Sequence, residues 1–258
     1  DCLLSRGLGD VYKRQAQWPV FTPGTHHLQS WASSAQDQAI SERAPAISSV
    51  VYSQRRRKGR CMSFTTRGFA GRRRGPDDQL PPGQTLFDNW PVLTAGPTPY
   101  VDTETWDFAI LDETGTEHHW NWEQFLALGA EDITVDIHCV THWSKLDMAW
   151  RGVSLDKLFE NVETSHDYVM AHSYGGYTTN VPLEDLLDGK AWIATEAEGA
   201  PLDAEHGGPA RLLIPHLYFW KSAKWVRALT MMPTNDPGFW EQSGYHIYGD
   251  PWKEERYW

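Results

Sequence analysis

Alternation of hydrophobic and polar residues predicts several short strands from residue 106 onwards. The pattern occurs in WDFAIL at 106–111, DITVDIHC at 132–139, DYVMAHS at 167–173 and YTTNV at 177–181. It recurs in KAWIATEA at 190–197, ARLLIPH at 210–216 and KWVRALTMM at 224–232. The aromatic segment at 237–258 has no period. These patterns predict a protein that is rich in sheet.

Three segments between the strands predict short helices. NWEQFLALG at 121–129 has helical spacing of its apolar residues, with Gly129 as a stop. SLDKLFENV at 154–162 begins with a serine cap, and PLEDLL at 182–187 has a proline for its first turn. Many short strands with few helices predict an α+β fold that is built mainly on antiparallel sheet.

The first 61 residues differ from the rest of the chain. They show no sustained period and contain the basic run QRRRKGRC, and their opening SRGLGDVYKRQ resembles translated adapter sequence. We expect residues 1–61 to be a disordered or non-native extension, and residues 62–258 to form one domain.

Charge and cysteine content exclude several classes of protein. Residues 1–61 have nine Lys/Arg and four Asp/Glu, whereas residues 62–258 have 14 and 30. A domain with a net charge of −16 is a poor match for nucleic acid or an anionic membrane. No apolar run is long enough to span a bilayer. Three cysteines indicate a reducing compartment, so we expect a cytoplasmic protein.

Cys139 stands at the predicted end of a strand, in the sequence HCVTHWS at 138–144. A small buried apolar residue is one interpretation. A thiolate ligand for a metal is a second, and a nucleophile with His142 as its base is a third. Motifs typical of a P-loop, a zinc site or covalent haem do not occur in the sequence.

Two basic segments predict an anion-binding site. EHGGPARLLIPH at 205–216 places His206 and Arg211 around a Gly-Gly-Pro turn, and FWKSAKWV at 219–226 supplies Lys221, Ser222 and Lys224. Ordinary surface turns are the alternative. A cofactor that carries both a phosphate and a metal would use these segments together with Cys139.

These and other segments resemble one known family, the sulfite-oxidase-like molybdopterin oxidoreductases. The matching words are RGFAGRRR, LPPGQ, PVLTAGPTP, DIHCVTHWSKLD, GGYTTNVPLEDLL, HGGPARLLIPHLYFWKSAKWV and PGFWEQSGYHIYGDPWKEERYW. The resemblance covers residues 62–258. It is to the small bacterial members that consist of the catalytic domain alone, and it implies the sulfite oxidase molybdopterin-binding fold.

The resemblance implies a role for each of several residues. Cys139 would ligate molybdenum beside the dithiolene sulfurs of molybdopterin, and the other positions would bind the cofactor. These positions are Asn89, Ser173, His206, Arg211, Ser222, the backbone of Ala223, and Lys224. Tyr245 stands where sulfite oxidases place their active-site tyrosine, and it is the candidate for hydrogen bonding and proton transfer.

One departure from sulfite oxidases concerns the substrate. Phe87 and the pair His142-Trp143 stand where those enzymes carry arginine. Phe87, Trp143 and Tyr245 would then form an apolar pocket. We therefore expect oxygen-atom transfer on a small S- or N-oxide rather than on sulfite, with a separate protein as electron partner. A cysteine hydrolase and a non-catalytic pterin-binding protein are the alternatives.

Overall fold

The structure is a computed structural model, and it describes residues 80–258. The predictions for residues 1–61, and for the domain's first residues 62–79, lie outside the described residues and stay predictions.

Eleven strands are present in residues 80–258. They are β1 (Thr85–Leu86), β2 (Asp107–Leu111), β3 (Glu117–Asn121), β4 (Glu131–His138), β5 (Trp143–Ser154), β6 (Tyr168–Ser173), β7 (Thr178–Pro182), β8 (Trp192–Ala197), β9 (Ala200–Pro201), β10 (Arg211–Leu213) and β11 (Val226–Met232). β1-β5-β8-β10 form a sheet in that order, with β4 also paired to β5 and β9 to β8. A second sheet has the order β3-β2-β11-β6-β7.

Antiparallel pairing dominates both sheets. Only β1 with β5 and β11 with β2 are parallel among the nine strand pairs in this part of the chain. The predicted α+β class with mostly antiparallel sheet is confirmed.

The helices are short and are capped by side chains. α1 (Trp122–Ala127) begins with a capping box between Asn121 and Gln124, and α2 (Leu155–Phe159) begins with the Ser154 cap. Single turns of 3-10 helix lie at Leu183–Asp185, Phe219–Lys221, Glu241–Ser243 and Pro251–Lys253. The helix predicted at 182–187 is present as the shorter 3-10 turn Leu183–Asp185, because Pro182 belongs to β7 opposite Tyr168.

The sequence pattern missed β5, the longest strand of the two sheets. Trp143 and Met148 are buried in the same core although they are five residues apart, so the alternation changes phase in the first half of the strand. Asp147 has φ +50°, and the pairing with β4 shifts register here. This irregularity is typical of a β-bulge, which hides the strand period from a sequence reading.

Two hydrophobic cores lie on opposite faces of the six-stranded sheet. Ile193 and Leu212 belong to the core shared with the second sheet, while their neighbours Ala194 and Leu213 belong to the other core. Successive residues of a strand point to opposite faces, which explains the division. The second core contains Cys139. No helix in residues 80–258 has the length and apolar character to cross a bilayer.

Candidate molybdopterin site

A tight hairpin loop presents Cys139 between β4 and β5. The Cys139 amide donates to the carbonyl of Trp143 at 2.8 Å, and the His142 amide donates to the carbonyl of Cys139 at 3.1 Å. His142 has φ +72°, a left-handed conformation that closes such loops. β4 ends at His138, so the cysteine stands at the strand end, as the sequence predicts.

The Cys139 side chain is buried, with 7% of its surface exposed. Its Sγ lies 3.2 Å from Oγ1 of Thr141, and its carbonyl accepts a hydrogen bond from Nε2 of Gln84 at 3.0 Å. Burial raises the pKa of the Cys139 thiol above its usual value. A thiol in these surroundings is a poor nucleophile without a metal or a base beside it.

His142 makes its side-chain contact away from the thiol. The imidazole is exposed, and its Nδ1 donates to the carbonyl of Gly83 at 2.7 Å. The Cys139–His142 dyad of the hydrolase interpretation therefore has no hydrogen bond between its two side chains in the described part of the chain.

Arg256 lies behind the same loop and was missed by the sequence reading. Its Nη1 donates to the carbonyl of Val140 at 2.7 Å, and its Nη2 donates to that of Pro82 at 3.2 Å. The guanidinium lies 4.9 Å from the ring centre of Tyr218, and the residue is 6% exposed. In the sequence it belongs to the charged run KEER, which is typical of a solvated surface.

Aromatic rings hold Tyr245 from three sides. It stacks on Trp240 at 4.9 Å between ring centres, and it meets Trp220 and Tyr257 edge-on at 5.1 and 5.2 Å. Burial raises the pKa of Tyr245, and the nearby Tyr257 and Cys139 raise it further. The phenol is therefore neutral at physiological pH and able to donate a hydrogen bond.

Phe87 and Trp143 take different positions. Trp143 is buried in the second core and meets Phe219 edge-on at 6.1 Å, whereas the Phe87 side chain is 44% exposed. The amide of Phe87 donates to the carbonyl of Ser144, which places Phe87 beside the start of β5.

Arg211 is the centre of the predicted anion-binding group. It is 1% exposed, and its guanidinium donates to the carbonyls of His206 and Ser222, both at 2.8 Å. The guanidinium lies 4.1 Å from the ring centre of Phe219. Burial lowers the pKa of Arg211 to about 9, so it still carries its charge at neutral pH.

The segment after Phe219 completes this group. Ser222 Oγ accepts a hydrogen bond from the amide of Ile214 at 2.9 Å, and the carbonyl of Ala223 accepts one from Leu212 at 2.8 Å. Lys224 Nζ donates to the carbonyl of Glu205 at 2.6 Å. Burial and then the charge of Arg211 lower the pKa of Lys224 to about 8.

Three further predicted residues lie around this group. His206 stacks on Trp90 at 3.9 Å and contacts Asp203 at 2.9 Å, and the exposed Asn89 precedes Trp90. Ser173 ends β6 opposite Val226, two residues after Lys224, and its buried Oγ has no partner in residues 80–258.

Lys221 does not belong to the anion-binding group, and its predicted place there is wrong. It is fully buried and pairs with Glu241 at 2.6 Å, while Nζ also donates to the carbonyls of Asn180 and Ile247. The 3-10 turn at Phe219–Lys221 directs this lysine into the interior, so its ammonium is used within the fold.

The residues present fit a metal that is held on an organic, anionic cofactor. No cluster of three or more His, Cys, Asp and Glu able to hold a metal occurs in residues 80–258, and an organic cofactor would supply further ligands to a metal at Cys139. Several buried donors also lack partners within this region: Nε1 of Trp143, Nε1 of Trp150, Oγ of Ser173 and Nε of Arg211. Buried polar groups are normally paired, and a polar cofactor would pair them.

Comparison with known proteins agrees with this fit. Residues 95–240, more than half of the chain, match the family model described as the oxidoreductase molybdopterin binding domain. The chain is 40% identical over 194 residues to the uncharacterized oxidoreductase YuiH of Bacillus subtilis, covering 73% of this chain and 98% of YuiH.

The chain is less similar to two proteins named as subunits of protein-methionine-sulfoxide reductases, and to one solved structure. The chain is 25% identical to the putative protein-methionine-sulfoxide reductase subunit YedZ1 of Azospira oryzae and 24% identical to the catalytic subunit MsrP of Pseudomonas syringae. Each match covers 58% of this chain, and the chain spans only 57% and 50% of those two relatives. The sulfane dehydrogenase SoxCD of Paracoccus pantotrophus matches with TM-score 0.47 and 21% identity over 53% of this chain and 40% of its own.

The YuiH identity and the extent of the family match decide the assignment, because both cover most of the globular part of the chain. The predicted fold, enzyme class and cofactor are thereby confirmed. The chain belongs to the oxidoreductase molybdopterin-binding family and is a molybdenum-dependent, molybdopterin-binding oxidoreductase.

Proposed function

We propose that Cys139 ligates molybdenum and that the enzyme reduces a small S- or N-oxide by oxygen-atom transfer. The observation that carries this proposal is the thiol of Cys139, buried among aromatic rings and the single cysteine of residues 80–258, on a loop where the cation Arg256 is bonded to backbone carbonyls. Cys139 lies in the same core as Trp143 and Trp220, and Tyr245 packs against that core.

The cations argue against a small doubly charged substrate. Each of the ten Lys and Arg residues in 80–258 has a partner within the fold. The partners are Glu198 for Lys145, Asp132 for Arg151, the Gly129 carbonyl for Lys157, the Glu184 carbonyl for Lys190, the His206 carbonyl for Arg211, Glu241 for Lys221, the Glu205 carbonyl for Lys224, Tyr174 for Arg227, Asp250 for Lys253 and the Val140 carbonyl for Arg256. At the Cys139 loop, Arg256 has both terminal nitrogens bonded to backbone carbonyls, so a small dianion there would meet no free guanidinium, whereas a neutral oxide needs none.

The reaction proposed for an S-oxide is R₂SO + 2 H⁺ + 2 e⁻ → R₂S + H₂O. The S–O bond breaks, sulfur is reduced, and a separate donor protein supplies both electrons. Bound molybdenum supplies the exchange of an oxygen atom coupled to two electrons. Tyr245, kept neutral by its surroundings, would donate a hydrogen bond to the substrate oxygen and pass a proton.

Cofactor binding would fall to the group around Arg211. Its charge and that of Lys224 would neutralise the pterin phosphate, and His206, Ser222 and the Ala223 backbone would shape the site. Asn89 and Ser173 would contact the cofactor from the two flanking segments. A cytoplasmic location stays a prediction that rests on the sparse cysteines.

Turnover with a panel of substrates tests the proposal. Reduction of dimethyl sulfoxide, methionine sulfoxide and trimethylamine N-oxide would be measured with a reduced viologen, and sulfite oxidation with ferricyanide. We expect kcat/KM for the best oxide to exceed that for sulfite at least about tenfold. Sulfite as the best substrate would overturn the argument from the bound cations.

Two variants separate the roles of Tyr245 and His142. Tyr245→Phe should lower kcat about 10²-fold, with the exposed Tyr100→Phe as the matched control. His142→Ala should leave oxide reduction within about threefold of wild type, because its ring is bonded to Gly83. Metal-independent hydrolytic activity that is lost in His142→Ala would favour the cysteine hydrolase instead.

A further inference from the structure

Arg256 is a buried cation with little carboxylate compensation. Its acidic neighbour in the described residues is Glu254, whose Oε1 lies 3.8 Å from the guanidinium Nε and whose side chain is 49% exposed. The Nε of Arg256 is itself buried without a hydrogen-bond partner. A buried guanidinium costs free energy unless a negative charge lies close to it. An anion close to Arg256 would therefore lower the free-energy cost of burying its guanidinium.

The contacts of Arg256 converge on the loop that carries Cys139. Nη1 bonds the carbonyl of Val140, the residue directly after the cysteine. Nη2 bonds Pro82, in the same segment from which Gln84 donates to the carbonyl of Cys139. Gln84 and Arg256 thus hold the loop at two neighbouring carbonyls, those of Cys139 and Val140.

Arg256 is not available to bind a substrate. Both of its terminal nitrogens donate to backbone carbonyls, and its flat face lies against Tyr218 at 4.9 Å. Its charge and hydrogen bonds act on the loop, from the protein side. This position differs from that of a cation that faces the substrate.

We propose that Arg256 is a positioning residue for Cys139, which fixes the direction of the thiolate and places a positive charge beside it. The inference rests on the proposed role of Cys139 as the molybdenum ligand. When the metal is bound, the thiolate would add a second negative charge to the one that the half-exposed Glu254 supplies to the buried guanidinium. The cation then favours the more negative, reduced form of the centre, which makes the centre easier to reduce.

Redox titration of the holoenzyme, followed by the electron paramagnetic resonance signal of Mo(V), tests the proposal in two variants. Arg256→Met removes the charge, and we expect the equilibrium constant for one-electron reduction to fall about tenfold, a shift of about 59 mV to lower potential. Arg256→Lys keeps the charge but loses the two-carbonyl fork, so its potential should stay nearer to wild type while the Mo(V) signal changes shape.

Arg151→Met is the control, because Arg151 is a half-exposed arginine bonded to Asp132 at the far end of β5. It should change neither the potential nor the signal. If Arg256→Met does not fold, the signal of Arg256→Lys decides alone. A wild-type Mo(V) signal and potential in every folded Arg256 variant would overturn the inference.

Cys139→Ser separates failure of this inference from failure of the proposed function. If Cys139→Ser alters the Mo(V) signal and the Arg256 variants do not, the inference on Arg256 is wrong and the proposed ligand stands. If Cys139→Ser leaves the signal unchanged, the proposed ligand is wrong, and the inference falls with it.

Discussion

The imidazole of His206 stacks on the indole of Trp90, with ring centres 3.9 Å apart and planes 18° apart. The His206 Nε2 also donates to the Trp90 carbonyl at 3.1 Å, across 116 residues of sequence. The contact ties the segment that carries Asn89 to the turn that precedes Arg211. The contact therefore brings together two segments that carry predicted cofactor-binding residues.

Loss of this stack should weaken cofactor retention. Trp90→Leu removes the contact with His206 and the edge-on contact with Trp150 at 5.2 Å. We expect a loss of about 1–3 kcal/mol in the free energy of unfolding, measured with urea, and a lower molybdenum content per chain. Tyr100→Leu, at a 90% exposed position, is the control. Full molybdenum content in Trp90→Leu would contradict this role.

The buried pair of Lys221 and Glu241 should be structural. Lys221→Met leaves a fully buried carboxylate without its cation, which should cost about 3–5 kcal/mol in urea unfolding. The double variant Lys221→Met/Glu241→Gln should recover part of that loss. Lys253→Met, in the exposed pair with Asp250, should cost less than about 1 kcal/mol. If Lys221 served anion binding instead, Lys221→Met would lower the cofactor content and leave the stability unchanged.

Anion binding should depend on pH through Lys224. Its pKa of about 8 in the free protein, lowered chiefly by burial, means that the ammonium is charged below pH 8 and neutral above it. The affinity of cofactor-free protein for sulfate, whose charge does not change in this range, should be constant below about pH 7 and fall above pH 8.

The pH dependence of stability that Lys224 produces is opposite in sign to that of anion binding. Because the folded pKa lies below the unfolded value of 10.5, the penalty for burying the charged lysine is present below pH 8 and is relieved as the pH rises towards 10.5. Thermal-shift titration with sulfate from pH 6 to 9.5 measures the pH dependence of anion binding. A pH profile that is the same in Lys224→Met would assign the effect to another group.

Close packing of β5 against β8 should tolerate no added methyl at Gly152. A Cβ there would lie 2.6 Å from the carbonyl oxygen of Ile193, whereas at Gly175 its nearest contact would be 3.9 Å. Gly152→Ala should therefore cost about 1–3 kcal/mol, and Gly175→Ala less than about 1 kcal/mol, in urea unfolding. Equal stability of the two variants would show that β5 can shift.

Local sequence signals found much of the fold but not its longest strand. Strands with clean alternation, such as β6, and helices with side-chain caps, such as α2, were predictable because one face is buried in each. β5 was hidden because the bulge at Asp147, which changes the phase of its alternation, depends on pairing with β4.

Sequence suggested Cys139, Arg211 and Lys224 as site residues because residue type alone carries their chemistry, and their roles stay predictions. Sequence could not separate Lys221 from Lys224, because the 3-10 turn at Phe219–Lys221 directs Lys221 into the interior and Lys224 lies beyond it. Arg256 was missed since its partner, the carbonyl of Val140, lies 116 residues away and has no sequence signature.

X-ray absorption at the molybdenum edge tests the central claim, that Cys139 is the protein ligand of the metal. Extended fine structure of the wild-type enzyme and of Cys139→Ser would count the sulfur atoms around molybdenum. The account predicts three sulfurs in the wild type, two of them from the cofactor dithiolene, and two in the variant with the cofactor still bound. An equal sulfur count in both proteins would contradict it.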